Sequence, residues 1–244
     1  MQNRYAGDVG DFGKLAMLRQ IADTGLAVGI NWYLVANEVH NNDGKHTGFL
    51  NDRRFDGLDD MLRESLRIII QGERSVYALE NANLLPGAVY YSQLLLPPSI
   101  EDFQRKLWHE NAINHLQKSD IVFLDPDNGI ITKSVGLASR NSIKYVLREE
   151  ICDYYAMGHS VVVYNHRCRE KPEKYVQRFD WMKDAPALSG SSISGLSFRR
   201  GTIRDYIFIA KSQHSECLSK AQNTLASGGW AEHFSQLEKL GGGR

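Results

Sequence analysis

Apolar residues recur along the chain at two spacings that alternate with each other. Between positions 11 and 24, Leu15, Leu18 and Ile21 follow one another at helical spacing, and Gly25 ends the pattern. Positions 29–35 read Gly-Ile-Asn-Trp-Tyr-Leu-Val, which is aromatic and β-branched and is typical of a buried strand. The pattern therefore predicts a helix that comes before the first strand.

The same two patterns continue to the end of the chain. They predict further helices at 58–70, 100–118, 137–157, 173–183 and 215–226, and further strands at 75–79, 89–96, 120–125, 160–164 and 202–210. Strands that are apolar throughout and separated by helices are typical of a mostly parallel sheet covered on both faces. We expect one doubly wound α/β domain over residues 1–240, followed by a flexible tail at 241–244. Ligands of such sheets bind at the carboxyl ends of the strands, here just after positions 35, 79, 124 and 164.

Composition and charge narrow the class of protein. Hydrophobic residues make up 42% of the 244 and charged residues 24%, as in folded globular domains. No apolar run approaches the ~20 residues of a membrane helix and no secretory signal is visible, so we expect a cytoplasmic protein with no membrane partner. Three widely spaced cysteines predict neither a disulfide framework nor a zinc site.

The net charge of zero hides an uneven distribution. Residues 1–64 hold 7 basic and 10 acidic residues, whereas residues 160–211 hold 10 basic and 5 acidic ones. The zero balance argues against a protein that binds nucleic acid through bulk charge. The basic stretch is either one surface that faces a polyanion or ordinary variation along a soluble chain.

The clearest chemical motif follows the predicted strand at 120–125 and consists of Asp125, Pro126, Asp127 and Asn128. A carboxylate at a strand end, followed by a proline that lacks an N–H, presents a carboxylate and a carbonyl together. Such a pair can hold an amino group. Two adjacent carboxylates can instead share a divalent metal, and a plain turn is the third interpretation.

A second motif places glycines and carboxylates at the start of the first helix. Its candidate ligand-binding residues are Tyr5, Gly7, Asp8, Asp11 and Lys14. Free amides at a helix start bind anions, and glycines allow close approach, so a cofactor or substrate is expected here. Alternatively, Asp8 or Asp11 caps the helix and the glycines shape its entry turn.

The third motif follows the strand at 160–164 and contains Tyr164, His166, Arg167 and Arg169. These side chains could meet substrate phosphates, although a histidine in a basic loop is often merely solvated. Glu80, at the end of the predicted strand at 75–79, is placed as an acid that binds ribose hydroxyls. The chain lacks the P-loop, GxGxxG, GxSxG and HExxH signatures.

Ala6-Gly7, Asp11 and Lys14 match an AGxxxDxxK pattern, and Asp125-Pro126-Asp127-Asn128 stands where a DPPY-type motif would. With the order of elements, these motifs resemble the Rossmann-fold S-adenosylmethionine-dependent methyltransferases, especially the bacterial 23S ribosomal RNA adenine-N6 methyltransferases. The chain is also similar to uncharacterised bacterial proteins that pair Asn-Arg-Tyr-x-Gly-Asp with Asp-Pro-Asp-Asn-Gly. The first resemblance implies a Rossmann-like fold and S-adenosylmethionine as cofactor. Because position 128 is Asn, Tyr164 or Tyr5 would supply the ring that stacks on the target base.

Three hypotheses follow. The first is an S-adenosylmethionine-dependent methyltransferase acting on a nucleic-acid amino group, which Asp125 and the Pro126 carbonyl would hold. The second is a hydrolase of phosphodiesters or nucleotides in which Asp125, Asp127 and His166 hold Mg²⁺ or Mn²⁺. The third is a degenerate Rossmann module without catalysis. The sequence leaves the substrate and the oligomeric state open.

Overall fold

The computed structural model describes residues 1–38, 44, 46–98, 103–200, 202–237 and 240. Within these residues the chain forms an α/β fold around a seven-stranded sheet. The strands are β1 (Val28–Asn31), β2 (Val89–Tyr91), β3 (Ile121–Leu124), β4 (Gly129–Ile130), β5 (Tyr145–Val146), β6 (Ser160–His166), β7 (Ser192–Arg200), β8 (Thr202–Ala210) and β9 (Phe234–Gln236). The α-helices are α1 (Val9–Ala22), α2 (Asp60–Gln71), α3 (Val76–Asn81), α4 (Phe103–Leu116), α5 (Arg148–Ala156), α6 (Pro172–Gln177), α7 (Trp181–Asp184) and α8 (Ser215–Leu225). The predicted tail at 241–244 and the predicted helix start at 100–102 lie outside the described residues.

The large sheet has the strand order β2-β1-β3-β6-β8-β7-β9. The first four strands are parallel neighbours, and each of the remaining pairings, from β6–β8 to β7–β9, is antiparallel. Strand β7 consequently points the same way as β6, so most strands share one direction. The prediction of a mostly parallel sheet is confirmed. The sequence does not predict the antiparallel pairings of β8, β7 and β9 at one edge.

The parallel strands are covered on both faces. Residues of β3 contribute to two separate cores. Ile121 and Phe123 pack on one face of the sheet, whereas Val122 and Leu124 pack on the other. All four side chains are fully buried, and burial of such side chains stabilises a fold by roughly 1.5–3 kcal/mol each. Apolar side chains on both sides of a strand give the unbroken apolar run seen in the sequence.

Helices cover both faces of the sheet. Phe12 and Leu15 of α1 belong to one core together with residues of α2 and α8, whereas the other core contains Trp108 of α4 and Tyr154 of α5. Helix α1 lies very close to the sheet, because a Cβ on Gly13 would approach the Phe198 ring to 2.8 Å. The N-terminal helix before the first strand is confirmed.

Several elements differ between the prediction and the structure; among them, the predicted helix at 173–183 is divided into α6 and α7, and the strand predicted at 89–96 is only β2. The predicted strand at 75–79 is helix α3, and the Ser75 hydroxyl caps it by accepting the Ala78 N–H. The predicted helix at 137–157 is divided into a short 3₁₀ helix (Arg140–Lys144), strand β5 and helix α5. Strand β7, which the pattern does not predict, forms a hairpin with β8.

A small parallel sheet of β4 and β5 closes a loop of residues 131–144, which we call the arm. Both ends of the arm lie beside β6, because the Asn128 N–H donates to the Lys144 carbonyl (2.9 Å) and the Asn128 carbonyl accepts the His166 N–H (3.3 Å). The arm therefore begins and ends at the carboxyl edge of the large sheet. None of the helices formed by the described residues has the length and apolar character needed to cross a bilayer.

Candidate functional site

A cavity of about 420 Å³ opens at the carboxyl ends of β3 and β6, beside the start of α1. Ten side chains singled out from the sequence line it: Tyr5, Asp8, Asp11, Lys14, Asp125, Pro126, Asp127, Asn128, Tyr164 and His166. The acidic turn after β3 and the N-terminal segment, which are more than 100 residues apart, thus face one space. Its volume is within the range of small-ligand pockets.

Lys14 joins the two parts of the site. The spacing of three residues puts Asp11 and Lys14 on one face of α1, and the Lys14 amine contacts Asp11 Oδ1 at 2.8 Å. The same amine contacts Asp125 Oδ2, at the end of β3, at 2.6 Å. All three side chains are buried, so each carboxylate depends on this amine for compensation.

Burial and charge act in opposite directions on this cluster. Burial disfavours the charged form of Lys14, but the carboxylates of Asp11 and Asp125 outweigh it and raise the pKa of Lys14, which stays protonated. Burial raises the pKa of Asp125, and Lys14 offsets this only in part. Asp125 is consequently a more basic carboxylate than a solvated one and a stronger hydrogen-bond acceptor.

Asp8 is the N-cap of α1. Its Oδ1 accepts the N–H groups of Gly10 (2.7 Å) and Asp11 (3.1 Å), while its Oδ2 lies 3.8 Å from the Arg204 guanidinium. Burial raises the pKa of Asp8, the charge of Asp11 adds to this, and Arg204 opposes it. The helix amides that the sequence suggests for an anion are therefore bound by the chain's own carboxylate.

Gly7 and Gly10 of this segment serve packing within the protein. A Cβ on Gly10 would lie 2.7 Å from Arg204 Nε, so only glycine allows the guanidinium to reach Asp8. Gly7 has φ +84°, and a Cβ there would lie 2.8 Å from Ile70 of α2. Gly7 does not line the cavity, although its N–H donates to Asp11 Oδ2 at 2.8 Å.

Two carboxylate oxygens face the cavity without a hydrogen-bond partner among the described residues. They are Asp125 Oδ1 and Asp8 Oδ2, since Lys14 takes only the other oxygen of Asp125 and Arg204 is too far from Asp8 for a hydrogen bond. Both residues are more than nine-tenths buried. The cavity thus offers two strong acceptors to a ligand that carries N–H groups or positive charge.

Asp127 is engaged by the N-terminal residues. Its Oδ1 lies 2.8 Å from the Met1 amine, and its Oδ2 accepts the Gln2 amide at 2.7 Å. Burial would raise the pKa of Asp127, but the amine and the amide outweigh burial and hold the pKa below its usual value. The Met1 amine also donates to the carbonyls of Tyr33 and Asp125 at 3.0 Å each, so Met1 fills the space between the ends of β1 and β3.

Tyr33 is strained where this contact is made. Its φ of 45° is unusual for a large side chain, and the residue is fully buried directly after β1. The Tyr33 hydroxyl donates to Glu150 Oε2 at 3.1 Å, and its N–H donates to the side chain of Asn31. The surrounding hydrogen bonds fix a conformation that turns the Tyr33 carbonyl toward the site.

The β6 and β8 side of the cavity is aromatic and basic. Tyr164 of β6 lines it, with a pKa raised by burial, and His166 pairs in register with Arg204 of β8. Behind them, the buried Tyr206 hydroxyl has no hydrogen-bond partner among the residues described. At the mouth, Lys144 of the arm forms an ion pair with Glu38.

Three of the predicted site residues besides Gly7 lie outside the cavity lining. Glu80 does not end a strand but sits on α3, half-buried, where it accepts the Trp32 indole N–H at 2.9 Å. Arg167 forms a two-pronged ion pair with buried Asp205, at 2.8 and 2.7 Å, so its guanidinium is committed to the fold. Arg169 is exposed to solvent.

Sequence reasoning missed two charged residues of the cavity, Glu38 and Lys144. Neither follows an apolar strand run directly, and only the tertiary fold of the arm brings Lys144 to the mouth. Asp125, Asp127 and His166, the alternative metal ligands, all line the cavity. Across the described residues, however, no three His, Cys, Asp or Glu side chains are grouped as a metal site.

A scan against protein-family models finds no match for the chain, and a search of curated proteins finds none either.

Proposed function

We propose that the chain is an S-adenosylmethionine-dependent methyltransferase that acts on an amino group of nucleic acid. The observation that carries this proposal is the shared cavity at the carboxyl edge of the sheet, lined by the acidic turn after β3 and by the N-terminal segment. Open α/β sheets bind their ligands at this edge. The three free cysteines suit a reducing compartment, and we propose a cytoplasmic location.

The sheet order supports a Rossmann-like arrangement. From β1 the chain passes to β2 on one side and then to β3 on the other, and such a reversal marks the switch point at which doubly wound sheets bind ligands. Met1 fills the space between β1 and β3. A cofactor of this chain therefore lies further toward β6, in the cavity.

The charges of the cavity suit a cationic cofactor. Five carboxylates line it, from Asp8, Asp11, Glu38, Asp125 and Asp127, against four cations, from the side chains of Lys14, Lys144 and Arg204 and the amine of Met1. Asp8, with its unpaired oxygen, would hold a positively charged part of S-adenosylmethionine, and Tyr5 or Tyr164 would pack against its adenine ring. When bound, S-adenosylmethionine supplies an electrophilic methyl group.

The residues of the chain would orient the amine. Lys14 fixes one oxygen of Asp125, which leaves Oδ1 to accept an N–H of the target amino group. The Pro126 carbonyl, to which no described residue donates, would accept the second N–H. These two acceptors direct the nitrogen lone pair away from the turn, so the rate gain comes from orientation and from preorganised electrostatics.

Isothermal titration calorimetry with S-adenosylmethionine tests the cofactor. We expect saturable heat with the wild type and with Asp125→Asn, because Asp125 is assigned to the amine rather than to the cofactor. We expect about tenfold weaker binding for Asp8→Asn, in which asparagine keeps the helix cap but removes the charge. The matched control is Glu64→Gln, an exposed carboxylate of α2, which should bind as the wild type does.

Transfer of tritium from methyl-labelled S-adenosylmethionine to bulk RNA or DNA tests the reaction. Asp125→Asn should lose most of the transfer while it keeps cofactor binding. A folded wild type that gives no heat with millimolar S-adenosylmethionine contradicts the proposal.

A further inference from the structure

Three segments each reach the cavity at one residue. They are the arm (131–144), the stretch after β6 (166–174) and the described part of the β7–β8 hairpin tip (Arg199, Arg200 and Thr202), and they line the cavity through Lys144, His166 and Thr202. Together they hold nine basic and two acidic residues. These three segments are thus strongly basic, although the chain as a whole is neutral.

Most of these basic side chains have no carboxylate partner. Lys144 is paired with Glu38, Arg167 is paired with Asp205, and the Arg200 guanidinium lies over the Phe55 ring. The other six are exposed and form no ion pair with any described residue: Lys133, Arg140, Arg169, Lys171, Lys174 and Arg199.

Several basic residues elsewhere in the fold are paired with carboxylates. On the α1 and α2 side, Arg19, Arg54, Arg63 and Arg67 each contact an Asp or Glu at 2.5–3.1 Å. These arginines are neutralised within the protein, whereas the six cations of the three segments are not, so we expect an external anion to bind the three segments. Exposed lysines also occur on other elements, at Lys118, Lys183 and Lys220, and they provide a control.

The cavity behind the mouth has the opposite character. Its carboxylates outnumber its side-chain cations, so a phosphate group is attracted to the rim and repelled from the interior. An uncharged aromatic base with amino groups, by contrast, finds the free oxygen of Asp125 and the Pro126 carbonyl inside. This division fits a polymer with a charged backbone and neutral rings.

We propose that the arm, the stretch after β6 and the hairpin tip form a phosphate-docking surface for single-stranded nucleic acid, and that this surface places one unstacked base over the cavity. A single strand is specified because a base inside a duplex cannot reach a cavity without leaving its stack. The inference deepens the proposed function and rests on it for the chemistry that follows docking. The docking itself is a separate property of the surface.

Fluorescence anisotropy with a labelled 20-nucleotide single-stranded RNA tests the surface without any cofactor. The triple variant Lys133→Gln, Arg140→Gln, Arg169→Gln should bind about tenfold more weakly at 50 mM salt. Each lost phosphate contact lowers the slope of log affinity against log salt by about 0.7, so the slope should fall by about 2. The control triple Lys118→Gln, Lys183→Gln, Lys220→Gln carries the same change in net charge and should stay within twofold of the wild type.

Equal weakening by the two triples would show that only net charge matters and would overturn the inference, as would unchanged binding by the first triple. Poly-L-glutamate that binds as tightly as the RNA would assign the surface to an acidic protein instead. All six substituted side chains are exposed, so melting temperatures should stay within about 2 °C of the wild type. If the protein binds RNA but gives no heat with S-adenosylmethionine, only the proposed function is refuted. If it binds the cofactor but not the RNA, only this inference is refuted.

Discussion

Replacing Lys14 by methionine removes the amine that bridges Asp11 and Asp125. Methionine preserves the length and the apolar stem of lysine, so the substitution deletes charge with little change in volume. It leaves two buried carboxylates, with side-chain exposures of 2% and 4%, without their cation. Removing one partner of a buried ion pair costs about 3–5 kcal/mol of unfolding free energy. For a chain of this size that corresponds to a melting temperature about 6–20 °C lower.

The effect should depend on pH in a defined direction. Burial already raises the pKa of Asp125, and Lys14 opposes the rise, so its removal raises the Asp125 pKa further. When the pKa of a carboxyl is higher in the folded state than in the unfolded state, the folded state binds more protons between the two pKa values. Stability then falls as the pH rises from the unfolded-state pKa through the folded-state pKa. The deficit of Lys14→Met relative to the wild type should therefore be smaller at pH 5 than at pH 8.

Urea unfolding followed by circular dichroism at both pH values measures this deficit. The matched control is Lys106→Met on α4, because the Lys106 side chain is 74% exposed and its amine lies 4.0 Å from Glu110; this change should cost less than about 0.5 kcal/mol. A Lys14→Met protein within 1 kcal/mol of the wild type, or one with equal deficits at pH 5 and pH 8, would refute the assigned role of Lys14.

Three further predictions concern residues around the site. Gly10→Ala should lower the melting temperature by several degrees in a thermal scan and weaken S-adenosylmethionine binding in calorimetry, because the new Cβ displaces Arg204 from Asp8; unchanged values would contradict this packing. Arg167→Lys loses the two-pronged contact with Asp205, so unfolding in urea should show a loss of about 2 kcal/mol while the salt dependence of RNA binding stays unchanged. Glu80→Gln should alter S-adenosylmethionine affinity less than twofold in calorimetry, and a larger loss would restore Glu80 as a cofactor residue.

The sequence predicts the helix before the first strand and the apolar core strands because periodicity is strong there. It fails at positions 75–79, where a run of four apolar residues is compatible with either a helix or a strand. Ser75 is the signal that decides for a helix, since its hydroxyl caps α3. Strand β7 is missed because serines and glycine interrupt its apolar positions and only its pairing with β8 defines it.

The candidate site is anticipated in part for a related reason. Asp125 can be placed from sequence because it directly follows a core strand, and Asp11 and Lys14 can be paired from their spacing on a helix. The contact between the Lys14 amine and Asp125, however, joins residues that are far apart in the chain, and a local sequence pattern cannot predict it. The same holds for Arg167, whose basic neighbours suggest a phosphate contact while its partner, Asp205, lies on another strand.

The measurement that tests the central claim most directly is a crystal structure of the chain grown with millimolar S-adenosylhomocysteine, the product form of the cofactor. The account predicts density for the ligand in the cavity between β3 and β6, with Asp8 within hydrogen-bond distance and the adenine ring against Tyr5 or Tyr164. Density at another surface, or an empty cavity in crystals that leave its mouth open, would contradict it.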